Sequence, residues 1–273
     1  GERCGSTWSY NLLQQHPQVY VPLKRKELKF FVNNYKKGLE WCESFFPSEK
    51  EKTVYKAIGE ISPGYLTYPG AEARIASVPS IKKLIVILRN PIDRVYSHYG
   101  HMVRLGGYSK SFDEFITELP ISVSMGFYAT HLERYLQYFE EQQICCLIFE
   151  NSVTDVTSTK RKISQFLNID FQGFSEEAGL DKVNETYIPK FKRLNHLVGL
   201  MGNRLRQADC DWLVNFIKVA GLPKVLKAKA SYLPPMSDET RLRLQDTYTP
   251  EIKKLEKLMD LNLELWHSPL SSH

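Results

Sequence analysis

The chain has 273 residues, 42% of them hydrophobic and 25% charged, enough to bury one substantial core as a single α/β domain. Its 36 Lys and Arg against 31 Asp and Glu leave a net charge of +5. That is too mild for a polyelectrolyte binder, so nucleic acid is not expected as a partner, and a few placed cations facing a small polyanion are.

Five cysteines, Cys4, Cys42, Cys145, Cys146 and Cys210, show neither CxxC nor Cys/His metal spacing. They indicate neither a disulfide framework nor a zinc site, and read as buried thiols in a reducing, cytoplasmic compartment. The longest purely apolar run, Leu84 to Leu88, is far shorter than the ~20 residues of a membrane span.

In chain order, Gly1 to Gly5 reads as a loop, which places an upstream strand before this numbering. Thr7 to His16 reads as a helix stopped by Pro17, and Val19 to Val21 as extended. The segment Asn34 to Phe46 carries Tyr35, Leu39, Trp41, Cys42, Phe45 and Phe46 near helical spacing and predicts an amphipathic helix. Lys83 to Leu88 is nearly all apolar and β-branched, a strand buried on both faces. Asn90, Pro91 and Asp93 supply an N-cap, a first-turn proline and an early acid, so a helix begins there and runs to about Arg104. Phe127 to Glu141 repeats the helical pattern and Ile144 to Phe149 the buried strand, so right-handed crossovers and a parallel sheet follow. Helical patterns then cover Ser158 to Leu167, Leu194 to Leu205, Asp211 to Ala220 and Asp238 to Met259. With no repeat or linker, one domain spans 1–273.

Gly1-Glu2-Arg3-Cys4-Gly5-Ser6-Thr7 sets two glycines, a cation and two hydroxyls ahead of a helix. Glycine lets backbone N–H groups approach an anion, the helix start adds partial positive charge, and the hydroxyls donate further bonds. The same residues also suit a Gly-rich turn capped by Ser6. A nucleotide kinase or NTPase would carry Gly-Lys-Ser/Thr here, with the hydroxyl on Mg²⁺, whereas this chain has Gly5-Ser6-Thr7 and its cation at Arg3. The second anion motif is Leu88 to Tyr99, which puts Arg89 at the carboxyl end of a buried strand and Ser97 on the following helix. Ligands of open α/β sheets collect at such strand ends, so both motifs can face one crevice. Arginine offers a planar fork for phosphate and serine completes the grip.

With GERCGSTW, KRKELKFF, GEISPGYL, LRNPIDRVYSHY and a tail ending in LELW, the chain resembles the sulfotransferases that use 3′-phosphoadenosine 5′-phosphosulfate (PAPS). It is more similar to their heparan-sulfate and bacterial branch than to the cytosolic steroid and phenol branch. The resemblance implies a P-loop-like three-layer α/β fold, with a central parallel sheet flanked by helices and a helical C-terminal cover. It implies that Arg3, Cys4, Gly5, Ser6, Thr7 and Trp8 form the 5′-phosphosulfate loop, Arg3 replacing the family's lysine. Arg89 and Ser97 then bind the 3′-phosphate, and Glu27, in the KE-x-x-FF motif, is the general base. His98 and His101 are the alternative bases, and the run of Lys24, Arg25, Lys26 and Lys29 also suits Glu27 as a solvated counter-charge.

The resemblance further implies in-line transfer to a hydroxyl or amine, with release of adenosine 3′,5′-bisphosphate and no metal. Three departures bear on this. Arg3 changes the geometry at the bridging oxygen, Lys29 stands where the branch often has histidine, and Ile61 replaces a lysine. The last favours a small-molecule acceptor over a long sulfated saccharide. Phe30, Phe31, Tyr35, Trp41, Tyr65, Tyr108 and Tyr128 read first as core and second as a pocket lining. The remaining alternatives are the kinase or NTPase and a non-catalytic nucleotide-binding protein.

Overall fold

A computed structural model describes residues 1–105, 107–180, 201, 204–205, 233 and 235–267. Helix α1 (Ser6–Gln14) leads into strand β1 (Val19–Tyr20), which pairs in parallel with β2 (Ala57–Ile58). Strands β3 (Leu84–Leu88) and β4 (Ile144–Ile148) form the second parallel ladder, in register from Leu84 with Ile144 to Leu88 with Ile148. Every residue of β4 is buried. In β3 only Ile87 and Leu88 are, and the first three residues are half-buried. The expected burial on both faces therefore holds for β4 and for the carboxyl end of β3, the end that faces the site.

Between β1 and β2 lie α2 (Leu39–Glu43) and α3 (Glu49–Lys52), and α4 (Ala71–Ala76) precedes β3. Helix α5 (Pro91–Arg104) starts where the sequence places it: the Asn90 side chain accepts from the Ile92 N–H, and Pro91 fills the first turn. Then come α6 (Phe112–Glu118), α7 (Pro120–Ser124) and α8 (Tyr128–Leu136) before β4, and α9 (Phe149–Thr154) and α10 (Val156–Leu167) after it. Helix α11 (Asp238–Met259) matches its sequence expectation at both ends and buries Leu244, Tyr248, Ile252, Leu255 and Met259 along one stripe. It is clamped to α8 by Thr130 bonding Glu251 and by Lys254 pairing with Glu133 at 2.7 Å. A short α12 (Glu264–His267) buries Trp266. The helical expectations at Asp211–Ala220 and most of Leu194–Leu205 lie outside the described residues.

One helical expectation is corrected. Asn34 to Phe46 is not one helix but a π turn over Phe30–Asn34, a 3₁₀ turn over Tyr35–Lys37 and α2. Gly38 at φ 82° breaks the run, and the N–H groups of Asn33 and Asn34 both close on the Lys29 carbonyl. The apolar spacing survives as packing: Phe30 stacks on Trp41 and Trp41 meets Phe45 edge-on. Phe30, Phe31 and Tyr128 belong to the core, while Tyr35 is exposed. Cys4, Cys42, Cys145 and Cys146 are buried free thiols, as composition suggested.

Candidate active site

The Gly1–Thr7 loop is built by backbone conformation first. Arg3 and Gly5 both take positive φ, 64° and 93°, turning the chain so that the first N–H groups of α1, on Ser6, Thr7 and Trp8, point out of the helix without helical acceptors. Gly5 is also a steric requirement, because a Cβ there would lie 2.4 Å from the ring of Phe149. The loop is thereby seated on both central strands. The Gly1 nitrogen donates to the Ile87 carbonyl at the end of β3 (2.6 Å), and Phe149 begins α9 directly after β4.

The two anion motifs meet. Arg3 Nε donates to Ser97 Oγ at 3.2 Å across 94 residues of chain. Beneath them, the Tyr128 hydroxyl donates to the Arg89 carbonyl (2.9 Å) and lies 3.5 Å from the Cys4 thiol, so one buried side chain supports both. Glu150 accepts from the Asn90 N–H at 2.8 Å and from the Trp266 indole at 3.4 Å, which docks the C-terminal LELW segment behind the Arg89 turn.

The electrostatics are set by burial and by clustered arginines. Burial, with Arg104 and Arg89 nearby, lowers the Arg3 guanidinium to about 10. Among the described residues no carboxylate forms an ion pair with Arg3 or Arg89, and the Arg89 guanidinium lies over the Phe149 ring at 5.5 Å. Burial together with Arg94 and Arg3 pushes His98 down to about 4. Burial together with Arg3, Arg104, His98 and Lys29 does the same to His101. A desolvated Arg3 held close to Arg89 and Arg104 is stabilised by a polyanion beside it, and these residues fit a doubly phosphorylated nucleotide. Among the described residues no three His, Cys, Asp or Glu side chains are grouped as metal ligands.

The segment carrying Glu27 is tied to this loop. Lys26 Nζ donates to Thr7 Oγ1 at 2.6 Å, and the Glu27 carboxylate pairs with Lys26 at 3.8 Å and Lys29 at 3.5 Å. The structure thus brings Arg3, Gly5, Ser6, Thr7, Glu27, Arg89, Ser97, His98 and His101 into one region. It turns other side chains away. The Cys4 thiol is fully buried and the Trp8 indole donates to the Gly179 carbonyl at 2.8 Å, so these two residues have only backbone to offer. His98 lies edge-on to Phe115 with its Nδ1 unpartnered among the described residues. With its pKa so depressed it is a poor proton acceptor near neutrality.

Sequence reasoning passed over Lys26, Arg104 and Glu60. The Glu60 carboxyl accepts from the Tyr65 hydroxyl and from Ser62 Oγ (2.8 Å), and burial raises it to about 7. Its one sequence signal was an acid between apolar and turn-forming residues in GEISPGYL.

The profile of the Sulfotransferase domain family matches residues 2–198. The chain belongs to the sulfotransferase family. It is a transferase whose fold is shared with a solved sulfotransferase from Alicyclobacillus acidocaldarius, at a TM-score of 0.63, 22% identity and coverage of 97% of this chain and 95% of the other. Over 94% of its length this sulfotransferase is 27% identical to the human bifunctional heparan sulfate N-deacetylase/N-sulfotransferase 3, of which it spans 29%. Over 62% of its length it is 29% identical to the mouse heparan sulfate glucosamine 3-O-sulfotransferase 3A1, of which it spans 44%. No described helix is long and apolar enough to cross a membrane.

Proposed function

We propose that this sulfotransferase takes its sulfuryl group from PAPS and delivers it to a hydroxyl or amine of a small acceptor. The observation that carries the donor is the Arg3–Ser97 bond at 3.2 Å, since it makes the two grips neighbours that a single nucleotide spans. When bound, PAPS supplies the sulfuryl group and departs as adenosine 3′,5′-bisphosphate. The N–H groups of Ser6, Thr7 and Trp8 and the hydroxyls of Ser6 and Thr7 hold the 5′ end, while Arg89 and Ser97 hold the 3′-phosphate. Arg3, between the two, neutralises charge gathering on the leaving oxygen; fixed charge of this kind supplies most of the acceleration in transfer of such groups. Glu27 accepts the proton of the acceptor, a role worth roughly 10²–10⁴-fold.

A small acceptor is favoured by Ile61, which packs against the core where a saccharide-binding surface would present a cation. A saccharide acceptor is the second reading, favoured by the heparan sulfate names of the relatives.

The donor is tested by melting the protein with adenosine 3′,5′-bisphosphate, with ATP and Mg²⁺, or with neither. A ligand at ~100 times its Kd adds about 2.7 kcal/mol. Stabilisation by the bisphosphate without metal is expected, and a response confined to ATP and Mg²⁺ would return the kinase alternative. Labelled PAPS offered phenols, amines and N-unsubstituted heparan oligosaccharides then decides the acceptor.

A further inference from the structure

The backbone after Glu27 is strained and then fastened from below. Lys29 sits at φ 51°, a conformation that side-chain-bearing residues hold only when surroundings enforce it. The enforcing groups come from one short stretch, residues 60–65. The Lys29 N–H donates to Ser62 Oγ at 2.9 Å, the Phe31 N–H makes a long bond to the Tyr65 hydroxyl at 3.5 Å, and the Leu28 N–H donates to the Glu60 carboxyl. Ser62 and Tyr65 in turn both donate to Glu60. One carboxylate thus serves as an acceptor and organises two more, for three N–H groups within four residues of Glu27. The charge of Glu27 adds to the burial that raises Glu60, so the two carboxyls are close neighbours.

We propose that Glu60 is a positioning residue for Glu27: with Ser62 and Tyr65 it fixes the backbone from which the Glu27 carboxylate is presented to the phosphate loop. The inference rests on Glu27 being the base. Glutamine at position 60 keeps the shape but replaces one acceptor oxygen with a donor facing donors, which loosens the platform without emptying it. Because misplacement of a reacting group by about 1 Å costs roughly 10²-fold, Glu60→Gln should lower kcat by about that factor. The Kd for adenosine 3′,5′-bisphosphate, read by titration calorimetry, should stay within about twofold. Combined with Glu27→Gln it should lower turnover no further than Glu27→Gln alone, as coupled residues do.

Wild-type kcat in Glu60→Gln, or losses that multiply in the double variant, would overturn the positioning role while leaving Glu27 as base. Wild-type turnover in Glu27→Gln would instead remove the base, and the positioning role with it. Should Glu60→Gln fail to fold, Ser62→Ala removes the acceptor of the Lys29 N–H together with one donor to Glu60; it should lower kcat about tenfold at unchanged bisphosphate affinity, and an unchanged kcat would overturn the proposal.

Discussion

Replacing Gly5 by alanine tests how the phosphate loop is built. At φ 93° an L-residue loses roughly 1–2 kcal/mol. Its Cβ would also stand 2.4 and 2.6 Å from two ring carbons of Phe149, where carbon contacts are comfortable near 3.5–4.0 Å. Phe149 is packed against the core and starts α9, so the ring cannot simply swing away, and overpacking of this kind adds roughly 1–3 kcal/mol. The sum, about 2–5 kcal/mol, corresponds to a fall in Tm of roughly 4–20 °C for a chain near this size.

Differential scanning fluorimetry with and without adenosine 3′,5′-bisphosphate reads both stability and the grip. Gly5→Ala should melt early and lose most of the ligand-induced rise. A Gly5→Ala/Phe149→Ala double variant separates the two causes. The steric part should vanish, giving a coupling of about 1–3 kcal/mol between the positions, while the backbone part remains. A Tm equal to wild type in Gly5→Ala would refute the whole account, and an additive double variant would refute its steric half.

Other expectations follow from the same site. Arg89→Ala should weaken adenosine 3′,5′-bisphosphate by about 10–100-fold, the worth of a hydrogen bond to a charged group, with little effect on adenosine 5′-monophosphate; equal losses for both, measured by calorimetry, would place Arg89 elsewhere. His98 and His101, lowered to about 4, bind protons less readily folded than unfolded. Their contribution to stability is therefore full above pH 6.5 and is lost as pH falls from 6.5 toward 4, by up to roughly 3 kcal/mol each. A Tm flat across that window would contradict it. A polyanion beside them should raise both values, so bisphosphate binding at pH 5.5 should take up protons, seen as a dependence of binding heat on buffer ionisation enthalpy. Lys26→Ala, which removes the 2.6 Å bond to Thr7, should reduce kcat more than bisphosphate affinity, because it releases the Glu27 segment from the loop; the opposite pattern in steady-state kinetics and calorimetry would make Lys26 a cofactor ligand only.

Much of the site was legible because its parts are local. Gly5, Ser6 and Thr7 lie within three residues of each other, and the Asn90-Pro91 cap lies beside Arg89, so each proposed anion grip is a turn plus a helix start whose rules operate over a single turn of chain. Helices α5 and α11 were readable for the same reason, through a cap at one end and an apolar stripe along one face. The break between Asn34 and Phe46 was not legible, since the apolar spacing there serves packing of Phe30, Trp41 and Phe45 and only the backbone at Lys29 and Gly38 reveals that no single helix supports it. Trp8 and Cys4 looked like loop residues in sequence, yet their side chains are claimed by Gly179 and by Tyr128, 171 and 124 residues away.

Sequence alone determined most of the elements and the position of the two turns proposed to bind anions, because hydrogen-bond capping, left-handed glycines and hydrophobic periodicity are decided by near neighbours. Only the tertiary structure decided that Arg3 reaches Ser97, that Lys26 reaches Thr7 and that Glu60 underpins the Glu27 segment. Those contacts join residues 94, 19 and 33 positions apart or are made possible by them, and the burial that gathers Arg3 with Arg89 and Arg104 and holds His98 and His101 uncharged beside them exists only once the chain has closed around them.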